Sequence, residues 1–159
     1  MTAVAARASD SAEDLAMMAR AAVIGSLTIP GRPDQVCAAR AFITKVLGEA
    51  EPATEVAVLL ASETVTNAVL HSNSRRPGGT VTITALETGG GVRIEVTDCG
   101  SELSAPVVKP DGCITGGNGL LLVQTLADEW GYARDEFVTT VWFWLQHGRG
   151  YAALHDRPE

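Results

Sequence analysis

Apolar residues recur at helical spacing in three stretches of the chain, which predicts three helices. The first covers residues 36–47 and is closed by Gly48, a residue type that commonly follows a helix C-terminus. The second begins after Pro52, which suits the first turn of a helix, and runs to about residue 71. The third covers residues 119–129.

Alternation of apolar and polar residues predicts strands elsewhere in the chain. Residues 81–86 and 92–97 both alternate with a period of two, and three glycines at 89–91 join them, which indicates an antiparallel hairpin. Shorter patterns predict three further strands, at residues 26–29, 130–134 and 137–145. No internal repeat and no linker divides these elements, so we predict a single folded domain.

The remaining stretches set the predicted bounds of that domain. Residues 1–25 are rich in alanine with scattered charges, and we interpret them as a flexible N-terminal arm. Residues 26–146 form the predicted domain, and residues 147–159 form a polar C-terminal tail. Within the domain, residues 101–115 show no period and contain two prolines. A loop of this length in a compact domain is usually functional. We therefore interpret it as a lid that covers a binding site.

Composition and charge narrow the function classes. At 159 residues with 46% hydrophobic content, the chain can bury one core. A net charge of -7 provides no basic surface for direct nucleic-acid binding and little attraction to an acidic membrane. No apolar run approaches the ~20 residues of a membrane span and no secretory signal is evident, so we expect a cytoplasmic protein. The cysteines, Cys37, Cys99 and Cys113, are widely spaced and odd in number, which favours free thiols.

The second predicted helix carries the first candidate chemistry. Glu63 and Asn67 lie four residues apart, so on a helix they point the same way. A helical projection places both within a stripe formed by Val56, Leu59, Leu60, Leu70 and His71. We therefore expect them to interrupt the buried face. The amide oxygen suits Mg²⁺, and the carboxylate can accept a proton from a hydroxyl. The alternative is a half-exposed helix whose polar residues meet solvent.

Two further signals follow along the chain. Asp98 ends a predicted strand, where a carboxylate can accept a hydrogen bond from an exocyclic amine, and Gly100 lets the backbone pass close to a flat ring. By itself, such an Asp-x-Gly stretch is commonly a turn. The stretch 116–119, Gly-Gly-Asn-Gly, then opens an apolar helix whose N–H groups and dipole favour a phosphate. Together these signals suggest a magnesium-nucleotide site.

The order of these signals resembles a known superfamily. The resemblance is carried by Glu63-x-x-x-Asn67-Ala68-x-x-His71, then Asp98-x-Gly100, then Gly117-x-Gly119-Leu120, which are similar to the N, G1 and G2 boxes of the GHKL ATP-binding superfamily. The phrases at 62–71, 119–123 and 140–143 resemble the small anti-sigma factor/serine-protein kinases of actinobacterial type. The likeness covers residues 26–146.

This resemblance implies a Bergerat fold, which is a two-layer α/β sandwich with a mostly antiparallel sheet and helices packed on one face. It implies ATP and Mg²⁺ as ligands, with Glu63 as general base, Asn67 as metal ligand and Asp98 as the residue that reads adenine. The other nucleotide-binding positions that it implies are His71, Gly100, Gly117, Asn118, Gly119, Leu120 and Thr140. Among these, we interpret His71 as a packing or supporting residue and not as a phosphoacceptor.

The implied activity is that of a serine/threonine protein kinase and anti-sigma regulatory factor, which phosphorylates an anti-anti-sigma (STAS-domain) partner and competes for a sigma factor. A homodimer is compatible with this role. The alternative is a catalytically silent ATP-binding module that only sequesters a regulatory protein. Two departures from the family pattern put kinase activity in question: Glu102 replaces the usual second glycine of the G1 box, and 138–140 reads Val-Thr-Thr where Gly-Lys-Thr is common.

The tryptophans add one further expectation. Trp130, Trp142 and Trp144 fit core or sheet-surface positions better than a ligand cage. Trp142 and Trp144 share a face of the last predicted strand, which leaves a partner surface as an alternative interpretation.

Overall fold

The computed structural model describes residues 7–8, 12–100 and 119–150. In chain order the elements are β1 (Arg7–Ala8), α1 (Ala12–Ala19), β2 (Ala22–Pro30), α2 (Val36–Leu47), α3 (Ala53–His71), β3 (Thr80–Thr88), β4 (Gly91–Asp98), α4 (Gly119–Leu126), β5 (Glu129–Arg134) and β6 (Thr139–Gln146). A short 3-10 turn, Pro33–Gln35, precedes α2, and a second one, Asn73–Arg75, follows α3.

The described strands form one six-stranded sheet in the order β1-β5-β6-β4-β3-β2. Every neighbouring pair is antiparallel except β1 and β5, which run parallel. Helices α2 and α3 pack against each other and against the sheet, and α4 packs against α3 and β5. Their buried residues join one apolar cluster with one face of the sheet. The predicted two-layer α/β sandwich is therefore confirmed.

The central hairpin, β3 and β4, forms because its turn residues suit it. Gly89 and Gly90 both have positive φ, at 61° and 76°. Two consecutive residues with positive φ match the right-handed twist of the strands that they join. The register that follows, from Thr88 opposite Gly91 to Thr82 opposite Thr97, fixes which side chains of β4 face the helices.

Alternate residues of the two central strands build the core. Val92, Ile94 and Val96 of β4 are at most 2% exposed. On β6, Phe143 and Leu145 lie on the same face, directly opposite Ile94 and Val92. The intervening residues belong to the other face of the sheet, because side chains alternate along a strand.

The buried face of α3 overlaps the predicted stripe only at Val56 and Leu60. Its buried residues are Ala53, Thr54, Val56, Ala57, Leu60, Ala61, Thr64, Val65, Ala68 and Val69. This arc is centred on small residues, which let the helix approach its neighbours closely. Glu63 and Asn67 are half-buried at its edge, and Leu70 is 43% exposed. The expectation that Glu63 and Asn67 interrupt a buried stripe is confirmed only in part: Val56 and Leu60 of that stripe are buried, whereas Leu70 and His71 are exposed.

Helix α3 has the length and composition of a membrane-spanning helix, with a mean hydropathy of 1.2. However, 56% of its most apolar eighteen-residue window is buried inside the protein. Its position between α2, α4 and the sheet accounts for this composition.

The first long strand begins earlier than its sequence pattern predicts. β2 starts at Ala22, whereas alternation predicted a start at Ser26. A register irregularity between Val23 and Gly25 breaks the alternation and hides the earlier residues from a period-two pattern. Gly25 lies close to α2, since a Cβ there would stand 3.0 Å from Val46 and 3.1 Å from Phe42. The division into arm, domain and tail stays a prediction.

The residues just after β6 are bonded to the loop that precedes α3. The Glu51 carboxylate accepts hydrogen bonds from the N–H groups of Gly148, at 2.7 Å, and Ala53, at 3.2 Å. His147 lies 3.3 Å from both Glu51 and Glu87. The bond from Gly148 is the main reason that the pKa of Glu51 lies below its ordinary value. Residues 147–150 thus pack on the folded unit.

Two phenylalanines provide a test of the core. Phe143 is fully buried, whereas Phe137 is 73% exposed in the turn between β5 and β6. We expect Phe143→Ala to lower the free energy of unfolding by about 3–5 kcal/mol, because it removes buried area and leaves a cavity. Phe137→Ala should change it by less than about 0.5 kcal/mol. Urea denaturation of both variants measures the difference, and similar losses would contradict the assigned core.

Candidate functional site

Helix α3 presents Glu63 and Asn67 on one side, a single turn apart. Both side chains are half-buried, at the border between the core and the surface. A carboxylate and an amide at such a border keep access to a ligand while the helix beneath them is held by its buried residues. The predicted pairing of these two residues on one helix side is therefore present in the structure.

Asp98 ends strand β4 on the face that carries the core. It continues the alternation of Val92, Ile94 and Val96, and it lies opposite Thr139 of β6. Its carboxylate accepts hydrogen bonds from the N–H groups of Gly100, at 2.7 Å, and Thr139.

The environment of Asp98 changes its acidity. Burial raises the pKa of this carboxyl above its usual 3.8, because the charged form loses hydration. The two N–H donors, and more weakly Arg134, act in the opposite direction. The result is a carboxylate with a fixed orientation and incomplete solvation. Such a group is suited to accept a further hydrogen bond from a ligand.

Both the backbone conformation at position 100 and the atoms around it favour a glycine there. It has a φ of +73°, a region that favours glycine, and it is buried. A Cβ at this position would stand 3.0 Å from the carbonyl oxygen of Phe137. The turn that carries Phe137 is itself held by Asp135, whose carboxylate accepts the N–H groups of Phe137 and Val138.

The segment between α3 and β3 connects the helix to Asp98, a feature that the sequence patterns did not reveal. The Asn73 N–H donates to the Gly100 carbonyl at 2.8 Å. The Ser74 hydroxyl accepts the Cys99 N–H at 2.9 Å. These bonds join the end of the helix bearing Asn67 to the strand end bearing Asp98. Their partners are backbone atoms distant in sequence, and therefore no local motif predicts them.

Thr140, predicted as a nucleotide-binding residue, is not brought together with Asp98. Its hydroxyl is bonded to that of Thr97 at 2.8 Å, and both residues belong to the sheet face opposite the helices. Thr139 takes the position beside Asp98 instead, and it is 6% exposed. The sequence could have predicted the position of Thr139, because it lies two residues before Val141 and therefore on the same face of β6 as the core residues.

The other predicted positions have different outcomes. His71 is exposed at the last residue of α3, and Gly119 is the first residue of α4, followed by Leu120. Gly117 and Asn118, the predicted lid at 101–115, Glu102 and Cys113 lie outside the described residues. Their assignments stay predictions.

The tryptophans are placed mostly as expected. Trp130 belongs to the core cluster. Trp142 is 3% exposed, with the Arg93 guanidinium 4.0 Å from its ring centroid. The Trp144 ring N–H donates to the Thr88 carbonyl at 2.9 Å. A partner surface centred on Trp142 does not fit its burial.

Metal binding at this site would need few protein ligands. Among the residues that the structure describes, no group of three or more His, Cys, Asp or Glu side chains could hold a metal ion. Mg²⁺ commonly takes one or two protein oxygens and completes its shell with phosphate oxygens and water. The half-buried Asn67 amide, with Glu63 one turn away, fits such an open site.

Comparison with known proteins gives the family. The sequence model of a family described as histidine kinase-like ATPase domain matches residues 29–144. The chain belongs to this family. The predicted membership of the GHKL ATP-binding superfamily is thereby confirmed. In a separate comparison, no curated protein sequence matches the chain.

A solved structure supports the fold. The chain is similar to a crystal structure of the RsbU and RsbW domains of Rv1364c from Mycobacterium tuberculosis, with a TM-score of 0.59 and 23% sequence identity. The match covers 79% of this chain and 33% of that one. The chain thus spans about a third of the length of the chain in that structure, and the likeness concerns the fold.

The raised pKa of Asp98 predicts how stability depends on pH. The folded state binds the proton more tightly than the unfolded state, so this carboxyl favours folding in acid. Its contribution should be lost as pH rises above the usual value of 3.8. We expect Asp98→Asn to stabilise the ligand-free protein, relative to the parent, more at neutral pH than in acid.

Asp135→Asn is the matched control for this experiment. The N–H groups of Phe137 and Val138 lower the pKa of the exposed Asp135. Its contribution to stability is present above the unfolded pKa and is lost as pH falls through the folded one. Urea denaturation across a pH series should therefore give opposite trends for the two variants. Parallel trends would contradict the role of burial at Asp98.

Proposed function

We propose that this chain binds ATP with Mg²⁺ and acts as a serine/threonine protein kinase and anti-sigma regulatory factor. The observation that carries the proposal is that the turn after α3, the helix of Glu63 and Asn67, is hydrogen-bonded to Cys99 and Gly100, next to Asp98. Membership of an ATPase domain family supports the nucleotide. The phrases at 62–71, 119–123 and 140–143, which resemble the small anti-sigma factor/serine-protein kinases, support the narrower kinase class.

Each residue has a role in this proposal. The Asp98 carboxylate accepts a hydrogen bond from the exocyclic amine of adenine, and Gly100 leaves room beside the base. The Asn67 side-chain oxygen would hold Mg²⁺, which neutralises negative charge on the phosphates when bound. Glu63 accepts the proton of the attacking serine or threonine hydroxyl.

The remaining site residues complete the proposed pocket. The backbone of Gly117, Asn118, Gly119 and Leu120 would frame the phosphates at the start of α4. His71 supports the end of α3. We replace Thr140 by Thr139 as the β6 residue of the adenine site, because Thr139 lies on the face of Asp98.

The proposed partners follow from the resemblance to anti-sigma kinases. The substrate is a serine or threonine on a STAS-domain protein, and a sigma factor competes for the same chain, with a homodimer as the working assembly. Such a role belongs in the cytoplasm. The net charge of -7 argues against direct contact with nucleic acid or an acidic membrane.

A catalytically silent ATP-binding module is the second candidate. It is favoured by Glu102, which stands where the family pattern has a glycine, and by the missing Gly-Lys-Thr before the last strand. Under this alternative, ATP binding still controls capture of a regulatory protein, but no phosphate is transferred.

Asn67→Ala tests the metal assignment. We expect it to abolish Mg²⁺-dependent ATP binding and to leave the fold intact, because it removes a ligand oxygen and little apolar surface. Isothermal titration with and without Mg²⁺ measures the effect. Thr66→Ala is the control, since the Thr66 hydroxyl donates to the Ser62 carbonyl of its own helix at 2.7 Å. A variant that binds MgATP as the parent does would show that Asn67 holds no metal.

Glu63→Gln tests the chemistry. We expect ATP affinity and sigma-factor binding to persist, while phosphate transfer from labelled ATP to a STAS partner slows by on the order of a hundredfold or more. Glu55→Gln, on the exposed first turn of the same helix, should transfer at the parental rate. Undiminished transfer by Glu63→Gln would rule out Glu63 as the base. A parent that binds ATP but transfers nothing would favour the silent module.

A further inference from the structure

Ser74 occupies a position with almost no freedom to move. It is 1% exposed, in the short turn between α3 and β3. A Cβ on Gly31 would stand 1.9 Å from the Ser74 carbonyl oxygen, and one on Gly79 would stand 2.1 Å from it. The N–H of Gly31 also donates to the Gly79 carbonyl, at 3.0 Å. The ends of β2 and β3 therefore close tightly around this turn.

A chain of hydrogen bonds runs from α3 through Ser74 to the adenine end of the site. The Ser72 hydroxyl donates to the Ala68 carbonyl at 2.5 Å, next to Asn67. The Ser74 N–H donates to the Ser72 hydroxyl at 3.0 Å. The Ser74 hydroxyl in turn accepts the Cys99 N–H, at 2.9 Å. Two serines thus connect the last turns of the helix to the residue that follows Asp98.

We infer that Ser74 is a positioning residue that sets the adenine-reading segment, 98–100, relative to helix α3. The inference rests on the proposed ATP-binding function. Ser74 acts through the Cys99 N–H and does not need to contact the nucleotide. The two close-packed glycines hold the backbone of Ser74 in place, and Asp98 and Gly100 are the residues on either side of the N–H that its hydroxyl accepts.

Loss of the hydroxyl has a specific consequence. In Ser74→Ala, the Cys99 N–H loses its acceptor, while the Asn73-to-Gly100 bond remains between the described residues of this turn and the strand end. The Asp98 carboxylate can then change its orientation relative to α3. Among the residues that the structure describes, this chain of bonds runs through the turn after α3 and the end of β4, and the phosphates are proposed to bind elsewhere, at the start of α4. Recognition of the base should therefore weaken more than recognition of the phosphates.

The experiment compares MgATP with magnesium tripolyphosphate, which has no base. By isothermal titration, we expect Ser74→Ala to lower MgATP affinity on the order of tenfold and to leave tripolyphosphate affinity unchanged. Ser74→Thr keeps a hydroxyl and should therefore restore part of the parental ratio of MgATP affinity to tripolyphosphate affinity. Thr44→Ala is a hydroxyl control, because the Thr44 hydroxyl donates within α2, to Arg40 at 3.0 Å. Ile43→Val is a stability control that lowers core packing without touching this chain of bonds.

The outcomes separate the inference from the function on which it rests. A Ser74→Ala variant with the parental ratio of the two affinities overturns the positioning role. Equal losses for both ligands, matched by Ile43→Val, overturn it as well, because they indicate general destabilisation. If Ser74→Ala does not fold, Ser72→Ala removes the preceding hydroxyl of the chain and carries the same expectation, with a smaller shift. A parent that binds neither ligand overturns the proposed function itself.

Discussion

The packing of helix α3 across strands β4 and β6 is the interaction on which both the fold and the site depend. The core positions of β4 face this helix, and the same alternation brings Asp98 to the helix side at the end of the strand. Helix and strand thereby supply different halves of the proposed site. The turn after α3 then fixes their separation, since it bonds to both Cys99 and Gly100.

The elements of this fold could be predicted from sequence wherever one period held throughout. The β3–β4 hairpin and the helices α2 and α3 were predicted to within two residues at each end, because alternation or helical spacing extends over most of each element. The start of β2 was predicted four residues late, because the irregularity at Gly25 interrupts its alternation. The burial of α3 was misjudged for another reason: large apolar residues defined the predicted stripe, whereas Ala57, Ala61 and Ala68 mark the face that packs.

The site could be predicted only as far as its residues lie in local motifs. Glu63 and Asn67 are a helical pair, and Asp98 with Gly100 is a strand-end pair; each is weak by itself, and their order along the chain makes them candidates. To choose between Thr139 and Thr140, one must know which face of β6 each occupies, and the alternation of apolar residues along β6 indicates this. Ser74 could be identified only from the tertiary structure, because its partners, Cys99 and the glycines at 31 and 79, are distant along the chain.

Asp98 indicates that the site is maintained at some cost to the fold. An apolar residue at this core-facing strand end would be buried without loss of hydration, whereas the carboxylate is destabilised enough for its pKa to be raised. Two N–H groups fix its orientation but fill only part of its capacity, which is about four hydrogen bonds. A fixed, incompletely solvated acceptor is what recognition of an exocyclic amine requires. The same acceptor would serve a kinase and a silent binding module equally, so the choice between the two proposed functions depends on the proposed role of Glu63 and not on the proposed adenine site.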